Sequence, residues 1–281
     1  MDALLDEAER TLSDAGIVTA RADVEQLAAA VFGSGQSDAQ VTARFRDLVA
    51  RRAERIPLGH LTGTATLGGV EVAVGPGVFV PRVHSEQVLA SGRQALHGIT
   101  APLVVDLCTG SAAIALAMAH ARPDATVHAV EFAEPALEFA ARNIARRTEL
   151  GDTPVRLHDA DVTEPGVLSE LDGSVHLVLA NPPFVPEATE LLPEYGVQHP
   201  KQAIFSGPDG LHVIRHVIAV AARLLRTNGV LVVEHGHMHG ATMPALLHVD
   251  PRFADISTDL DHDDRPLYSV ATRTEKGTTA Q

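Results

Sequence analysis

Short apolar runs alternate with longer segments of helical periodicity from residue 84 to residue 235, and this alternation constrains the fold more than any other feature. Apolar runs at 103–106, 126–131, 155–158, 175–180 and 229–235 are separated by helical patterns at 88–96, 111–121, 134–147 and 211–225. Such alternation predicts an α/β fold, in which helices cover both faces of a mostly parallel sheet. Two further runs, at 253–257 and 267–271, predict antiparallel strands that complete the sheet.

The N-terminal part of the chain has a different pattern. Apolar residues at helical spacing predict helices within residues 2–54, punctuated by Gly16 and a Gly33–Gly35 stretch. We predict a helical, substrate-binding domain at 1–55, although a plain N-terminal extension is an open alternative. A linker follows at 56–82, with a β-hairpin around Gly68-Gly69. A catalytic domain at 83–275 and a flexible tail at 276–281 complete the predicted organisation.

Composition limits the function. The net charge of −14 argues against a broad nucleic-acid-binding face. No apolar run is long enough to span a membrane, and the first residues lack the basic start of a signal peptide. Cys108 is the single cysteine, which excludes an internal disulfide and fits a reducing cytoplasm. We therefore expect a cytoplasmic protein that binds neither membranes nor nucleic acid directly.

The strand predicted at 175–180 ends in Asn181-Pro182-Pro183-Phe184. Two successive prolines cannot donate to a sheet, so the strand must stop there. What remains is an amide side chain, backbone carbonyls and an aromatic face. This acceptor-rich slot suits a planar group that carries N–H, held for chemistry on its nitrogen. An ordinary end of a strand is the alternative.

Three other strand ends carry polar residues, and ligands bind at such ends in parallel sheets. The stretch 106–112 is a turn of small residues into a helix, but Cys108 and Ala112 stand where glycines could be. Glu131 is placed to accept the two ribose hydroxyls of a nucleoside, and Asp159-Ala160-Asp161 to accept an adenine amino group. Solvated or turn-forming carboxylates are the alternatives. Residues that recognise a nucleoside, without a motif that binds phosphate, favour S-adenosylmethionine over a dinucleotide as the ligand.

These motifs together resemble the HemK/PrmC family of class I methyltransferases, which methylate glutamine side-chain amides in peptide-chain release factors. The resemblance rests on the loop at 106–111, the acid at 131, Asn-Pro-Pro-Phe and the Glu234-His235-Gly236 motif. The linker at 57–63 and Val80-Pro81-Arg82 are also similar to that family. The resemblance implies a Rossmann-like, seven-stranded sheet and an N-methyltransferase that uses S-adenosylmethionine and forms S-adenosylhomocysteine.

The resemblance also implies the site. Catalytic roles fall on Asn181 and Pro182, and substrate binding falls on these two residues with Pro183, Phe184 and Arg82. The implied cofactor site comprises Asp106, Thr109, Gly110, Ser111, Glu131, Phe132, Asp161, Val162 and Asn181.

The chain departs from the family pattern at several positions. Val83 and His84 follow Arg82 where the family has Pro and a variable residue before Thr-Glu, and Phe184 replaces a more usual Tyr. Ala112 replaces a glycine, which we expect to be tolerated if its φ stays negative. Residues 83 and 84 lie close to the expected substrate pocket. A specialised relative that methylates a small molecule, such as a metabolite amide, guanidine or amine, is therefore an alternative substrate assignment.

Two further hypotheses are open. His235, His237 and His239 alternate beside an acidic stretch at 259–264, which would also fit a metal site. We predict no metal, because methyl transfer from a sulfonium requires none and His235 belongs to the family motif. A non-catalytic protein that binds the cofactor is the other hypothesis, and the presence of both Asn181 and Glu131 argues against it. The oligomeric state is not predicted.

Overall fold

The computed structural model describes residues 1–32 and 39–275, and both the Gly33–Gly35 stretch and the predicted tail at 276–281 lie outside these residues. The first three helices are α1 (Asp2–Asp14), α2 (Ala20–Phe32) and α3 (Ala39–Ala53). They bury a core of their own, whose largest fully buried side chains are Leu12, Leu27 and Phe45. The three-helix prediction is confirmed, while the domain boundaries remain a prediction.

A short helix and a hairpin connect this unit to the sheet. They are α4 (Leu58–Thr62), β1 (Thr64–Leu67) and β2 (Val70–Ala73), of which α4 was not predicted. Gly68 and Gly69 form the turn with φ values of 57° and 76°, which glycine adopts without strain. The hairpin packs into the main core through Leu67, Val70 and Val72.

The remaining elements form the sheet and its covering helices. In chain order they are α5 (Ser85–Ala95), β3 (Leu103–Leu107), α6 (Ala113–Ala121), β4 (Thr126–Glu131), α7 (Glu134–Glu149), β5 (Arg156–Asp159), β6 (Val175–Ala180), α8 (Pro193–Gly196), α9 (His212–Leu224), β7 (Leu225–Glu234), α10 (Thr242–Val249), β8 (Phe253–Leu260) and β9 (Pro266–Arg273). The sequence pattern predicts all seven strands, but α8 and α10 were missed. Helix α5 begins at Ser85 rather than at 88, and α6 at Ala113 rather than at 111.

The sheet has the strand order β5-β4-β3-β6-β7-β9-β8. Strands β3 to β7 are parallel, and β9 pairs antiparallel with both β7 and β8. Alternate residues face opposite sides, so Val104 and Leu177 lie in one core while Val105 and Val178 lie in the other. The strand order reverses between β3 and β6, which creates a crevice at their carboxyl ends.

Candidate active site

The carboxyl ends of β3, β4, β5 and β6 open into one cleft of about 640 Å³. The predicted site residues that line it are Arg82, Thr109, Gly110, Ser111, Glu131, Phe132, Asp161, Val162, Asn181, Pro182, Pro183 and Phe184. Asp106 lies just behind this lining and is 1% exposed. The fold thus brings together residues that are distant in the sequence, because the ends of parallel strands meet at one edge of the sheet.

Asp106, at the end of β3, organises the loop toward α6. Its Oδ2 accepts hydrogen bonds from Thr109 Oγ1 at 2.5 Å and from Ala115 N at 3.1 Å. Its Oδ1 is buried and has no hydrogen-bond partner among the described residues. Burial raises the pKa of Asp106 to about 7. A buried carboxylate oxygen without a partner is costly, so this atom fits a cationic ligand group beside the loop.

Ala112 does not meet the condition under which we expected alanine to be tolerated at this position. That condition was a negative φ, and its φ is 64°, in the left-handed region. Cys108 and Gly110 are also left-handed, with φ values of 60° and 58°. This conformation costs an L-residue roughly 1–2 kcal/mol. The Ala112 methyl group is fully buried, and such burial contributes about 0.8 kcal/mol in the opposite direction. Packing therefore offsets roughly half of the strain.

Glu131, at the end of β4, already accepts three backbone hydrogen bonds. Gly110 N donates to Oε2, and Phe132 N and Ala133 N both donate to Oε1, each at 2.9 Å. The carboxylate therefore fastens the loop after β3 to the start of α7. It lines the cleft with acceptor sites left over, which suits recognition of hydroxyl groups.

Asp161 forms a local turn and also lines the cleft. Its Oδ1 accepts from Thr163 N and Thr163 Oγ1, both at 2.8 Å, which is a local turn. The side chain nevertheless faces the cleft together with Val162 and Phe132. Phe132 is 49% exposed, an unusual exposure for a large aromatic ring. These three residues form a wall with one carboxylate and two apolar faces, which suits a flat heterocycle.

The Asn181-Pro182-Pro183-Phe184 segment follows β6 directly. His239 Nε2 donates to the Phe184 carbonyl oxygen at 2.8 Å, which holds the segment in place. A Cβ atom at Gly236 would lie 3.0 Å from the Phe184 ring, so a larger residue would require this ring to shift by a few tenths of an ångström. Gly236 of the Glu-His-Gly motif therefore lets the aromatic wall of the slot pack closely against the segment after β7.

Ser85 lies next to Asn181 and bonds Glu234, and neither Ser85 nor Glu234 was assigned a role from the sequence. Ser85 Oγ donates to Glu234 Oε2 at 2.7 Å, and Asn181 Nδ2 lies 3.5 Å from Ser85 Oγ. Both residues are buried, at 1% and 3% exposure. Burial raises the pKa of Glu234, and the Ser85 hydrogen bond and the nearby Arg82 charge oppose that shift. Their membership in two family motifs was the only sequence signal for them.

Arg82 lies among aromatic rings at the edge of the cleft. Its guanidinium carbon is 4.5 Å from the Tyr195 ring centroid and 5.3 Å from that of Phe79. His199 packs against the same two rings, and burial lowers its pKa to about 4. Tyr195, which is carried by α8, was missed by the sequence analysis because α8 has only four residues.

A buried ionic contact joins α8 to the helical N-terminal unit. Arg52 Nε donates to Asp23 Oδ2 at 2.6 Å, and Arg52 Nη1 lies 3.2 Å from Glu194 Oε2. The side chains of Arg52, Asp23 and Glu194 are 5%, 6% and 16% exposed. Glu194 directly precedes Tyr195, so this contact links the N-terminal helices to the aromatic group around Arg82.

Two of the three alternating histidines bond different partners. His235 Nε2 pairs with Ser269 Oγ at 2.9 Å, and His239 Nε2 bonds Phe184. Within residues 1–32 and 39–275, no group of three or more His, Cys, Asp or Glu side chains is arranged to hold a metal ion. Across the same described residues, no helix is long and apolar enough to cross a membrane.

Comparison with known proteins identifies families and relatives that this chain resembles. The model of the PrmC N-terminal domain matches residues 3–63, and that of the methyltransferase small domain matches residues 76–193. The release factor glutamine methyltransferase of Mycolicibacterium smegmatis is 44% identical, with 96% of each chain covered. The 4-amino-L-phenylalanine/4-methylamino-L-phenylalanine methyltransferase of Streptomyces pristinaespiralis is 36% identical over 96% of this chain and 94% of that protein. The crystal structure of the hMettl16 catalytic domain with a 3′UTR hairpin has a TM-score of 0.56 at 11% identity, covers 86% of this chain and 84% of that chain, and shows a shared fold only.

The seven-stranded sheet and the cleft at its switch point define a class I, S-adenosylmethionine-dependent methyltransferase. The chain belongs to the release factor glutamine methyltransferase family, HemK/PrmC, and is an N-methyltransferase.

Proposed function

We propose that this protein methylates the side-chain amide nitrogen of a glutamine in a peptide-chain release factor. The observation that carries this proposal is that Asn181 lines the same cleft as Gly110 and Glu131, so an acceptor amide and a cofactor can meet there. The 44% identity to a release factor glutamine methyltransferase over nearly the whole chain supports the choice of substrate. The acidic net charge and the single cysteine support a cytoplasmic protein with a protein substrate rather than a nucleic acid.

The residues at the ends of β3, β4 and β5 fit S-adenosylmethionine, which supplies an electrophilic methyl group on a sulfonium. The unpartnered Asp106 Oδ1 and the loop through Thr109, Gly110 and Ser111 would hold its charged amino-acid end. Glu131 would accept the ribose hydroxyls. Asp161, Val162 and Phe132 would surround the adenine.

The slot after β6 would orient the acceptor. An amide nitrogen is a poor nucleophile because its lone pair is delocalised. Asn181 Oδ1 and the Pro182 carbonyl oxygen would accept its N–H groups, while Pro183 and Phe184 would wall the site. Fixing the nitrogen in line for attack contributes several kcal/mol, on the order of 7–11 kcal/mol at best. No strong base is required beforehand, because the nitrogen loses its proton readily once it is alkylated.

The N-terminal helices would present the substrate. Their buried Arg52–Glu194 contact reaches the helix that carries Tyr195, next to Arg82 at the cleft edge. If residues 1–55 serve this role, deleting them abolishes turnover of the release factor and leaves cofactor affinity unchanged. Equal turnover by a truncated chain of equal foldedness would instead make these residues an extension without a role in catalysis.

A second candidate function is N-methylation of a small aromatic amine. The relative from Streptomyces pristinaespiralis, which is 36% identical, is named for such an activity. His84 and Phe184, which line the cleft, and the neighbouring Val83 are departures that would suit a different acceptor.

One experiment separates the two functions. Purified protein and labelled S-adenosylmethionine are incubated with release factors and, in parallel, with 4-aminophenylalanine and other amines. We expect label on a release-factor glutamine, located by peptide mass spectrometry. Label on the amines alone would reject the release-factor assignment. The Asn181→Ala variant serves as the control for enzyme-independent labelling.

A further inference from the structure

The orientation of the Asn181 carboxamide decides which chemistry its slot can perform. Rotating an asparagine side chain by half a turn exchanges oxygen and nitrogen with almost no change in shape. An acceptor nitrogen must donate its N–H while its lone pair points at the methyl group. Asn181 therefore has to present Oδ1 to the acceptor, and the opposite orientation would place an N–H against an N–H.

The backbone brings three polar side chains to one point. Ala180 of β6 pairs with Val233 of β7, so Asn181 and Glu234 are neighbours at the carboxyl ends of adjacent strands. Ser85 is the first residue of α5. Ser85 Oγ lies 2.7 Å from Glu234 Oε2 and 3.5 Å from Asn181 Nδ2.

The direction of the Ser85 hydroxyl follows from this geometry. A serine hydroxyl has one proton, and Ser85 donates it to the Glu234 carboxylate in a charge-assisted hydrogen bond. Toward Asn181, Ser85 can then only accept. The Asn181 side chain must turn its Nδ2 toward Ser85, which leaves Oδ1 for the cleft.

We propose that Ser85 and Glu234 are positioning residues that hold the Asn181 carboxamide with Oδ1 facing the acceptor nitrogen. We call this chain of hydrogen bonds, Glu234–Ser85–Asn181, the relay. It connects the Glu-His-Gly motif at the end of β7 and the segment after Arg82 to the slot. It rests on the proposed function only because the slot must receive an N–H group, whether from a glutamine or from an amine.

The kinetic test uses variants of both relay residues. Ser85→Ala removes the acceptor for Nδ2, and Glu234→Gln can donate to Ser85 and free its proton to face Asn181. We expect each to lower kcat about tenfold, the effect of a modest loss of orientation, with cofactor Kd within twofold of wild type. Ser85→Thr retains the hydroxyl and should restore kcat to within about threefold. The double variant should be little worse than either single one, because both act through one relay.

A matched control is available on the neighbouring strand. Ser269 is fully buried and its hydroxyl bonds His235 and Thr258, and within the part of the chain that the structure describes it forms no hydrogen bond with Asn181. Ser269→Ala removes a buried hydroxyl as Ser85→Ala does, so it reports the cost of that loss for stability. Its kcat should remain at the wild-type value.

An independent measurement keeps this inference separable from the choice of substrate. The side-chain N–H resonances of Asn181 are assigned in ¹⁵N-labelled protein by their loss in Asn181→Asp. They should shift in Ser85→Ala and in Glu234→Gln and stay unchanged in Ser269→Ala. If the wild type methylates no release factor, the proposed function fails, while the NMR result still decides on the relay. Unshifted Asn181 resonances in both relay variants, or wild-type kcat in both on any acceptor that is methylated, would overturn the proposal.

Discussion

The contact between Arg52 and Glu194 should couple the N-terminal helices to the cleft. Glu194→Gln tests this coupling with little change in side-chain shape. Glutamine retains a carbonyl oxygen for Arg52 Nη1, now 3.2 Å away, but removes the negative charge. The Arg52–Asp23 hydrogen bond at 2.6 Å stays in place, so no buried charge is left without a partner. Removing Arg52 instead would strand two carboxylates, at a cost of about 3–5 kcal/mol.

The magnitude follows from burial. Hydrogen bonds to charged groups contribute about 1.5–3 kcal/mol, and neutral ones about 0.5–1.5 kcal/mol. Glu194 is 16% exposed and Arg52 is 5% exposed, so solvent screens their contact only partly. We expect Glu194→Gln to lower the free energy of unfolding by about 1 kcal/mol. If the same energy holds Tyr195 over Arg82, KM for the acceptor rises about fivefold and cofactor Kd does not change.

The assay compares denaturant unfolding and steady-state kinetics with those of a matched surface variant. Glu25→Gln breaks an ion pair with Arg21 whose side chains are 58% and 54% exposed, and such pairs contribute 0.2–1 kcal/mol at most, about 0.3–0.5 kcal/mol within a helix. If Glu194→Gln destabilises the protein no more than Glu25→Gln and leaves KM unchanged, the N-terminal helices do not act on the cleft through this contact.

Three more predictions concern the cleft itself. Asn181→Ala should lower kcat about 100-fold or more at nearly unchanged cofactor Kd, because it removes an orienting group; wild-type kcat on the physiological substrate would contradict the proposed acceptor slot. The pKa of Asp106 is raised to about 7, and a cationic cofactor favours the ionised form of this carboxyl group. Cofactor affinity measured by calorimetry should therefore fall by up to tenfold per pH unit below pH 7, and Asp106→Asn should flatten this pH dependence. A flat profile in the wild type would exclude Asp106 as the linked group. In Glu131→Gln, the side-chain NH2 group replaces a carboxylate oxygen that accepts hydrogen bonds from backbone N–H groups, and cofactor binding should weaken by about 1–3 kcal/mol. Glu134→Gln, at an exposed position, should leave cofactor binding unchanged, and equal affinities of the two variants would remove Glu131 from the cofactor site.

Local patterns in the sequence were enough to predict the sheet and the position of the cleft. Strand and helix periodicities differ, so alternating runs identify parallel strands without any knowledge of contacts. The two prolines after Asn181 end β6 because they lack backbone N–H groups, and this places the slot at the edge of the sheet. Short elements such as α4 and α8 carry too few residues for a periodic pattern, so they were missed.

The tertiary structure alone decided how the site residues are held. Asn181 and Ser85 are 96 residues apart, and Ser85 and Glu234 are 149 apart, so no local pattern connects them. Their contact exists because β6 and β7 pair in a register that brings Asn181 and Glu234 level, next to Ser85, the first residue of α5. The positive φ of Ala112 is likewise a feature that only the tertiary structure decides. Packing of the loop against the core imposes a conformation that an alanine does not prefer by itself, and only the surrounding contacts offset its cost.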